Sequence, residues 1–132
     1  VRRSIIYYYN FRIFKCLISY TKMIDKSNNL IKNIKIALIS FQNYTEKVPS
    51  VGLVYIATFL KYRLGIKNIR LIDKRFDNIE KEIEAFSPDI IGLGPMTVNY
   101  PEAIEFANNY KKHHNNPIII GGVHISTLPE SM

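Results

Sequence analysis

Cysteine is nearly absent from this sequence: Cys16 stands alone in 132 residues. No disulfide can form within the chain, and a metal site built from several thiolates is excluded. A single thiol suits a reducing compartment, so the expected location is cytoplasmic. No apolar stretch approaches the roughly 20 residues a membrane span needs, and no membrane partner is expected. No G-x-G-x-x-G follows the first predicted strand, which removes the dinucleotide fingerprint. No G-x-x-x-x-G-K-[ST] is present either, which removes the phosphate loop of the NTPases. A phospho-receiver needs acidic residues after its first strand and an aspartate closing its third. Ser40-Phe41-Gln42 and Gly94 hold those places. The Ser/Thr-rich loop that would bind a flavin phosphate is missing from the same position.

Charge is plentiful but uneven. Residues 1–33 carry seven Lys or Arg against Asp25 alone, while residues 34–132 carry eleven basic and ten acidic side chains. All but one unit of the formal total of +7 therefore sits in the first quarter of the chain. The near-neutral remainder argues against nucleic acid as a partner. Residues 1–33 are biased toward Ile, Tyr and Lys, include the run Tyr7-Tyr8-Tyr9 and begin at Val1. Asn10, Arg12 and Lys15 interrupt the apolar core that a signal peptide would require. This segment is expected to be a poorly specified extension ahead of one α/β domain spanning 34–132.

From residue 34 the pattern becomes regular. Residues 34–40 form a β-rich run without alternation and read as a strand. Residues 51–64 read as a helix with Val54, Ala57, Leu60 and Leu64 on its apolar side and Gly65 at its end. Residues 68–73 read as a second strand. Asp77, with Glu80 three residues on, resembles a capping box, and Ile79, Ile83 and Phe86 give that helix one apolar stripe. Residues 89–94 are a third strand, Pro101 opens a third helix, and residues 118–120 are a fourth strand ending in Gly121-Gly122. Strands alternating with helices imply a parallel sheet covered on both faces, doubly wound in the Rossmann-like or flavodoxin-like manner.

In such a sheet the ligand crevice lies beyond the carboxyl ends of the strands. Three loops of unusual composition fall there: 40–52, 94–100 and 121–127. Glycine at a strand end lets the backbone approach a ligand or take positive φ, and Gly94, Gly121 and Gly122 suit either use. A simple turn requirement explains each glycine equally well. His124 has no second His, Cys or Asp near it in sequence, so no metal site is expected. His113 and His114 close a helix, where they meet its dipole and water. Glu80, Glu82 and Glu84 read as a solvated face. Thr97, Ser126 and Thr127 lack a local base, and no catalytic constellation emerges.

Four blocks then become recognisable. Val48-Pro49-Ser50-Val51-Gly52-Leu53-Val54-Tyr55-Ile56-Ala57 resembles the P-P-x-G-L-x-Y-L-A segment of cobalamin (B12)-binding domains in radical SAM enzymes. Ser87-Pro88-Asp89-Ile90-Ile91-Gly92 resembles their P-D-I-V-G strand. Met96-Thr97, with Tyr100, Ala103 and Ile104, resembles the segment after it. Ile120-Gly121-Gly122-Val123-His124-Ile125-Ser126, with Leu128-Pro129-Glu130, resembles G-G-x-H-x-[ST]…P-E. The resemblance covers residues 34–132. It implies a five-stranded Rossmann-like sheet holding cobalamin at the carboxyl edge. Gly94, Met96 and Thr97 would border the corrin or its nucleotide tail. Gly121, Gly122, His124 and Ser126 would line the tail groove, and the loop bearing Asn43, Tyr44 and Gly52 would lie under the corrin.

Two departures shape the expectation. The D-x-H-x-x-G whose histidine binds cobalt in methionine-synthase-type domains is replaced by Ser40-Phe41-Gln42-Asn43-Tyr44-Thr45-Glu46, so cobalamin would be held without a histidine from that loop. The chain also stops at Met132. The resemblance therefore implies an N-terminal fragment, lacking the fifth strand and not catalytic alone. The radical SAM barrel, with its C-x3-C-x2-C iron–sulfur cluster and S-adenosylmethionine, would lie downstream and be the module's partner in a methyltransferase-type enzyme. The competing expectation is a degenerate Rossmann-like interaction module that binds no cofactor. Without a fifth strand, residues 118–120 would form a bare hydrophobic edge prone to aggregation.

Overall fold

Ile36, Ala37, Leu38 and Ile39 are consecutive and all buried. Such a run needs a strand covered on both faces. The computed structural model, which describes residues 6–8, 32–43 and 50–122, provides that setting. Its strands in chain order are Ile6–Tyr8 (β1), Lys35–Ser40 (β2), Asn68–Asp73 (β3), Ile90–Leu93 (β4) and Ile118–Ile120 (β5). The helices are Val51–Arg63 (α1), Ile79–Phe86 (α2) and Tyr100–His113 (α3). Every strand pair is parallel, and the order across the sheet is β1-β5-β4-β2-β3. Among the described residues no helix is long and apolar enough to cross a membrane.

The four strands after residue 34 take the expected doubly wound, flavodoxin-like order. The flank of β5 corrects the expectation of a bare edge. Ile6, Tyr7 and Tyr8 pair with Ile118, Ile119 and Ile120, so the β5 edge is not bare. The physical reason is that a strand edge offers its unpaired N–H and C=O groups to any extended segment in reach. Here a segment of the basic N-terminal region takes them.

Alternation along β2 divides the core. Ala37 and Ile39 face a cluster with Ile72, Ile91, Leu93, Ile118 and Ile120, closed by Ile79 and Ile83 of α2 and Ala103 and Ala107 of α3. Ala103 and Ala107, four residues apart and wholly buried, let α3 lie close on the sheet. Ile36 and Leu38 face the other side, against Leu53 of α1 and Ile66. Burying each such Ile or Leu contributes about 1.5–3 kcal/mol.

Ala57 and Leu60 of α1, and Leu64 at its end, pack against the sheet as expected, but in the first turn the buried residue is Leu53 and Val54 is exposed. Gly65 has φ 69° and follows a turn in which the Ile66 N–H donates to the Leu60 carbonyl. That closure ends α1 as expected. The start of α2 differs. Asn78 is the N-cap, its side chain accepting from the Lys81 N–H, while Asp77 Oδ2 accepts from the Asp73 N–H. Pro101 lies in the first turn of α3, where its missing N–H removes no hydrogen bond.

Candidate functional site at the carboxyl rim

Parallel pairing brings the carboxyl ends of β2, β3, β4 and β5 to one edge, at Ser40, Asp73, Leu93 and Ile120. The hydrogen-bond ladder continues past the strand ends. The Gly94 N–H donates to the Ile39 carbonyl at 3.3 Å, and the Gly121 N–H donates to the Leu93 carbonyl at 2.9 Å. These bonds set the exit of β4 between those of β2 and β5.

The glycines at this rim have different tasks. Gly122 has φ 110°, and a Cβ there would sit 2.8 Å from the Pro95 carbonyl oxygen. The two exit loops therefore touch backbone to backbone, which only glycine allows. A Cβ on Gly94 would meet Leu53 Cδ2 at 2.9 Å, so the space beside Gly94 is taken by the first turn of α1. A Cβ on Gly121 or Gly52 would meet nothing within 4 Å, so both face open space. Gly92, one turn of the pleat below Gly94, packs against Leu38 in the same way that Gly94 packs against Leu53.

Polar groups at the rim fall into two sets. On the β3 side, Asp73 accepts from the Arg75 backbone N–H and from Nε and Nη2, at 3.1, 2.9 and 2.6 Å. The Arg75 hydrogen bonds hold the Asp73 carboxyl below its ordinary value, outweighing desolvation, and raise that of Arg75. Asp73 is thereby committed to Arg75 and is no general base. Lys74 pairs with Glu102 and donates to Asn43 Oδ1 at 3.4 Å. On the β2 and β4 side stand polar atoms with no partner at all. Ser40 Oγ, Gln42 Oε1 and Asn99 Oδ1 are buried and unbonded, Ser40 and Asn99 each being 3% exposed.

A separate cavity of about 580 Å³ lies on the opposite face of the sheet, between α2 and α3, lined by Phe41, Asp77, Glu102, Phe106 and Tyr110 among others. Burial there raises the Tyr110 hydroxyl above its ordinary value. His114 stacks on the Tyr110 ring at 4.1 Å, a packing role for a histidine that ends a helix. Among the described residues no group of three His, Cys, Asp or Glu could hold a metal ion.

The rim geometry is the setting in which the comparisons with known proteins carry weight. The B12 binding domain family matches residues 34–132, three quarters of the sequence. The chain belongs to the B12-binding domain family. An uncharacterized methyltransferase of Pyrococcus horikoshii is 32% identical over 85 residues, a match covering 62% of this chain and 18% of that protein. The B12-binding domain described here thus spans a small part of that relative's length. No solved structure gives a significant match.

Of the site residues expected from the sequence, the B12-binding domain brings Gly94, Gly121 and Gly122 together at the exits of β4 and β5. Met96 and Thr97 follow on the same loop; both are exposed, Thr97 opening the short 3-10 turn Thr97–Asn99. Gly52 lies in the first turn of α1 next to Leu53. Asn43 is drawn instead toward Lys74 on the β3 side. Tyr44, His124 and Ser126 lie outside the described residues. Sequence reasoning missed Ser40, Gln42, Asn99, Leu53 and Pro95. Ser40 did carry a signal, as a polar residue closing a buried apolar run, and so did Asn99, immediately before Tyr100-Pro101 at a helix start.

Proposed function

We propose that this B12-binding domain holds cobalamin at its carboxyl rim and serves a methyltransferase-type radical SAM enzyme, whose catalytic barrel belongs to a longer polypeptide. The observation that carries the proposal is the family match over 34–132, falling on a rim where the exit loops of β4 and β5 touch through glycine backbone. Open space over Gly121 and Gly52 and unpaired polar atoms at Ser40, Gln42 and Asn99 suit a large, neutral, amide-bearing ligand. In this reading Gly52, Gly94, Gly121 and Gly122, with Met96 and Thr97, border the ligand. His124, Ser126, Asn43 and Tyr44 complete the border from the flanking loops. Bound cobalamin would supply a cobalt centre able to carry a methyl group, and the chain's own part is binding and orientation. The methyltransferase assignment draws on the name of the Pyrococcus horikoshii relative. The radical SAM partner, its iron–sulfur cluster and S-adenosylmethionine draw on the sequence resemblance.

The specific observation favouring the alternative, a degenerate interaction module, is Leu53. It fills the space beside Gly94 that a ligand would otherwise use. One titration separates the two readings. The chain, mixed with hydroxocobalamin at micromolar concentration, is expected to shift the cofactor's visible spectrum and retain it through gel filtration. An unchanged spectrum with the cofactor eluting free would leave the interaction module as the answer.

A further inference from the structure

We propose that Ser40, Gln42 and Asn99 are ligand-binding residues, forming one uncharged hydrogen-bonding set that takes the N–H or O–H donors of the bound molecule. The inference rests on the cobalamin reading and deepens it. Among the described residues, these are the three that carry a buried side-chain polar atom without a partner. All three lie at the carboxyl rim: Ser40 ends β2, Gln42 follows two residues later, and Asn99 precedes α3. Burying an oxygen and leaving it unbonded is costly, and folded proteins avoid it except where something else completes the bond.

Orientation supports a common purpose for Ser40 and the glycine loops. Leu38 lies on the α1 side of the sheet, so Ser40, two residues on, lies there too. Gly94 opens toward Leu53 of α1, on that same side, and its N–H bonds the carbonyl of Ile39, the residue before Ser40. Asn99 stands at the N-cap of α3 and yet makes no side-chain cap bond. An asparagine at that position ordinarily accepts from the first turn. Here its Oδ1 is left for another donor.

The chemistry of the set selects the part of the ligand it meets. Gln42 Oε1 and Asn99 Oδ1 are acceptors, and Ser40 Oγ accepts as well as donates. None of the three is charged, and the nearby Lys74 and Arg75 are already paired with Glu102 and Asp73. Unbonded oxygens of this kind receive a carboxamide N–H or a ribose hydroxyl. The set therefore suits the amide arms of a corrin or the sugar of its tail.

The test is hydroxocobalamin titration, followed by visible absorption, of the wild-type chain and of Ser40→Ala, Gln42→Met and Asn99→Leu, with melting of each ligand-free protein. Each substitution removes a hydrogen bond made only with ligand, so affinity is expected to fall about tenfold while the ligand-free melting temperature holds or rises by a few degrees. Asn99→Asp keeps the acceptor and is expected to bind within about threefold of wild type. Wild-type affinity in the three apolar variants overturns the inference and leaves the cobalamin reading standing, as does a loss in Asn99→Asp equal to that in Asn99→Leu for the role of Asn99. Failure of the wild-type chain itself to take up hydroxocobalamin removes the cobalamin reading, and the inference with it.

Discussion

Gly122 and Gly121 are neighbours of one chemical type in different mechanical situations. A methyl on Gly122 would press on the Pro95 carbonyl at 2.8 Å, in a backbone conformation, φ 110°, that side chains rarely adopt. A methyl on Gly121 would meet nothing within 4 Å. Gly122→Ala is thus expected to cost about 1–3 kcal/mol of stability, and Gly121→Ala to stay within about 0.5 kcal/mol, by urea denaturation. Equal effects would show that the two exit loops do not touch. The Asp73–Arg75 pair makes a second residue-scale prediction, in pH. Asp73 titrates below its ordinary value of 3.8 when folded, so its contribution is complete well above that value and lost as the pH falls through the lower folded value. Arg75→Gln should melt lower than wild type at neutral pH, with the gap closing below pH 3.8. A gap constant down to strong acid would assign the effect of Arg75 to something other than Asp73. Neither situation could be read from the sequence in full. The glycines announce a special backbone, but which of them meets a carbonyl and which meets open space depends on the neighbouring loop. Likewise Ser40 and Asn99 look like ordinary polar residues until tertiary structure leaves their oxygens without a partner.

Element starts and stops were written more clearly than the faces between them. The Leu60–Ile66 closure with Gly65 at φ 69°, and Pro101 in the first turn of α3, follow from local stereochemistry and hold as expected. The opening of α2 was ambiguous because Asp77 and Asn78 are both good caps. The ambiguity is resolved at a distance: Asp77 turns back to the Asp73 N–H at 2.8 Å, and Asn78 accepts from the Lys81 N–H at 2.9 Å. Asn78→Ala should therefore cost about 1 kcal/mol and reduce protection of the first α2 amides in hydrogen exchange. Asp77→Ala should leave those amides protected and act instead on the turn after β3. The reverse pattern would return the cap to Asp77. The burial of Leu53 in place of Val54 in the first turn of α1 has a different cause. Apolar residues run nearly all round that helix, with Val51, Tyr55 and Tyr62 exposed at 72%, 68% and 74%, so periodicity alone offers no single stripe.

At the scale of the whole molecule, the pairing of β1 with β5 joins the first residues of the chain to nearly the last described ones. Three residues of Ile-Tyr-Tyr have no periodicity, and nothing local ties them to Ile118–Ile120, which is why this edge was expected to be bare. The consequence is measurable amide by amide. In a parallel ladder the N–H and C=O of one residue point to the same neighbour, and successive residues alternate. The Gly121 N–H bonds Leu93 of β4, so Ile119 also turns toward β4, while Ile118 and Ile120 turn toward β1. Removing residues 1–33 should leave the exchange of the Ile119 and Gly121 amides slow and make that of Ile118 and Ile120 fast, with a lower melting temperature and more aggregation from the uncovered edge. Unchanged slow exchange at Ile118 and Ile120 in the shortened chain would mean that β1 is not what covers them. Fast exchange at all four would mean that β5 needs β1 to stay in the sheet at all, and the rim carrying Gly121 and Gly122 would then be built only when the first residues are in place.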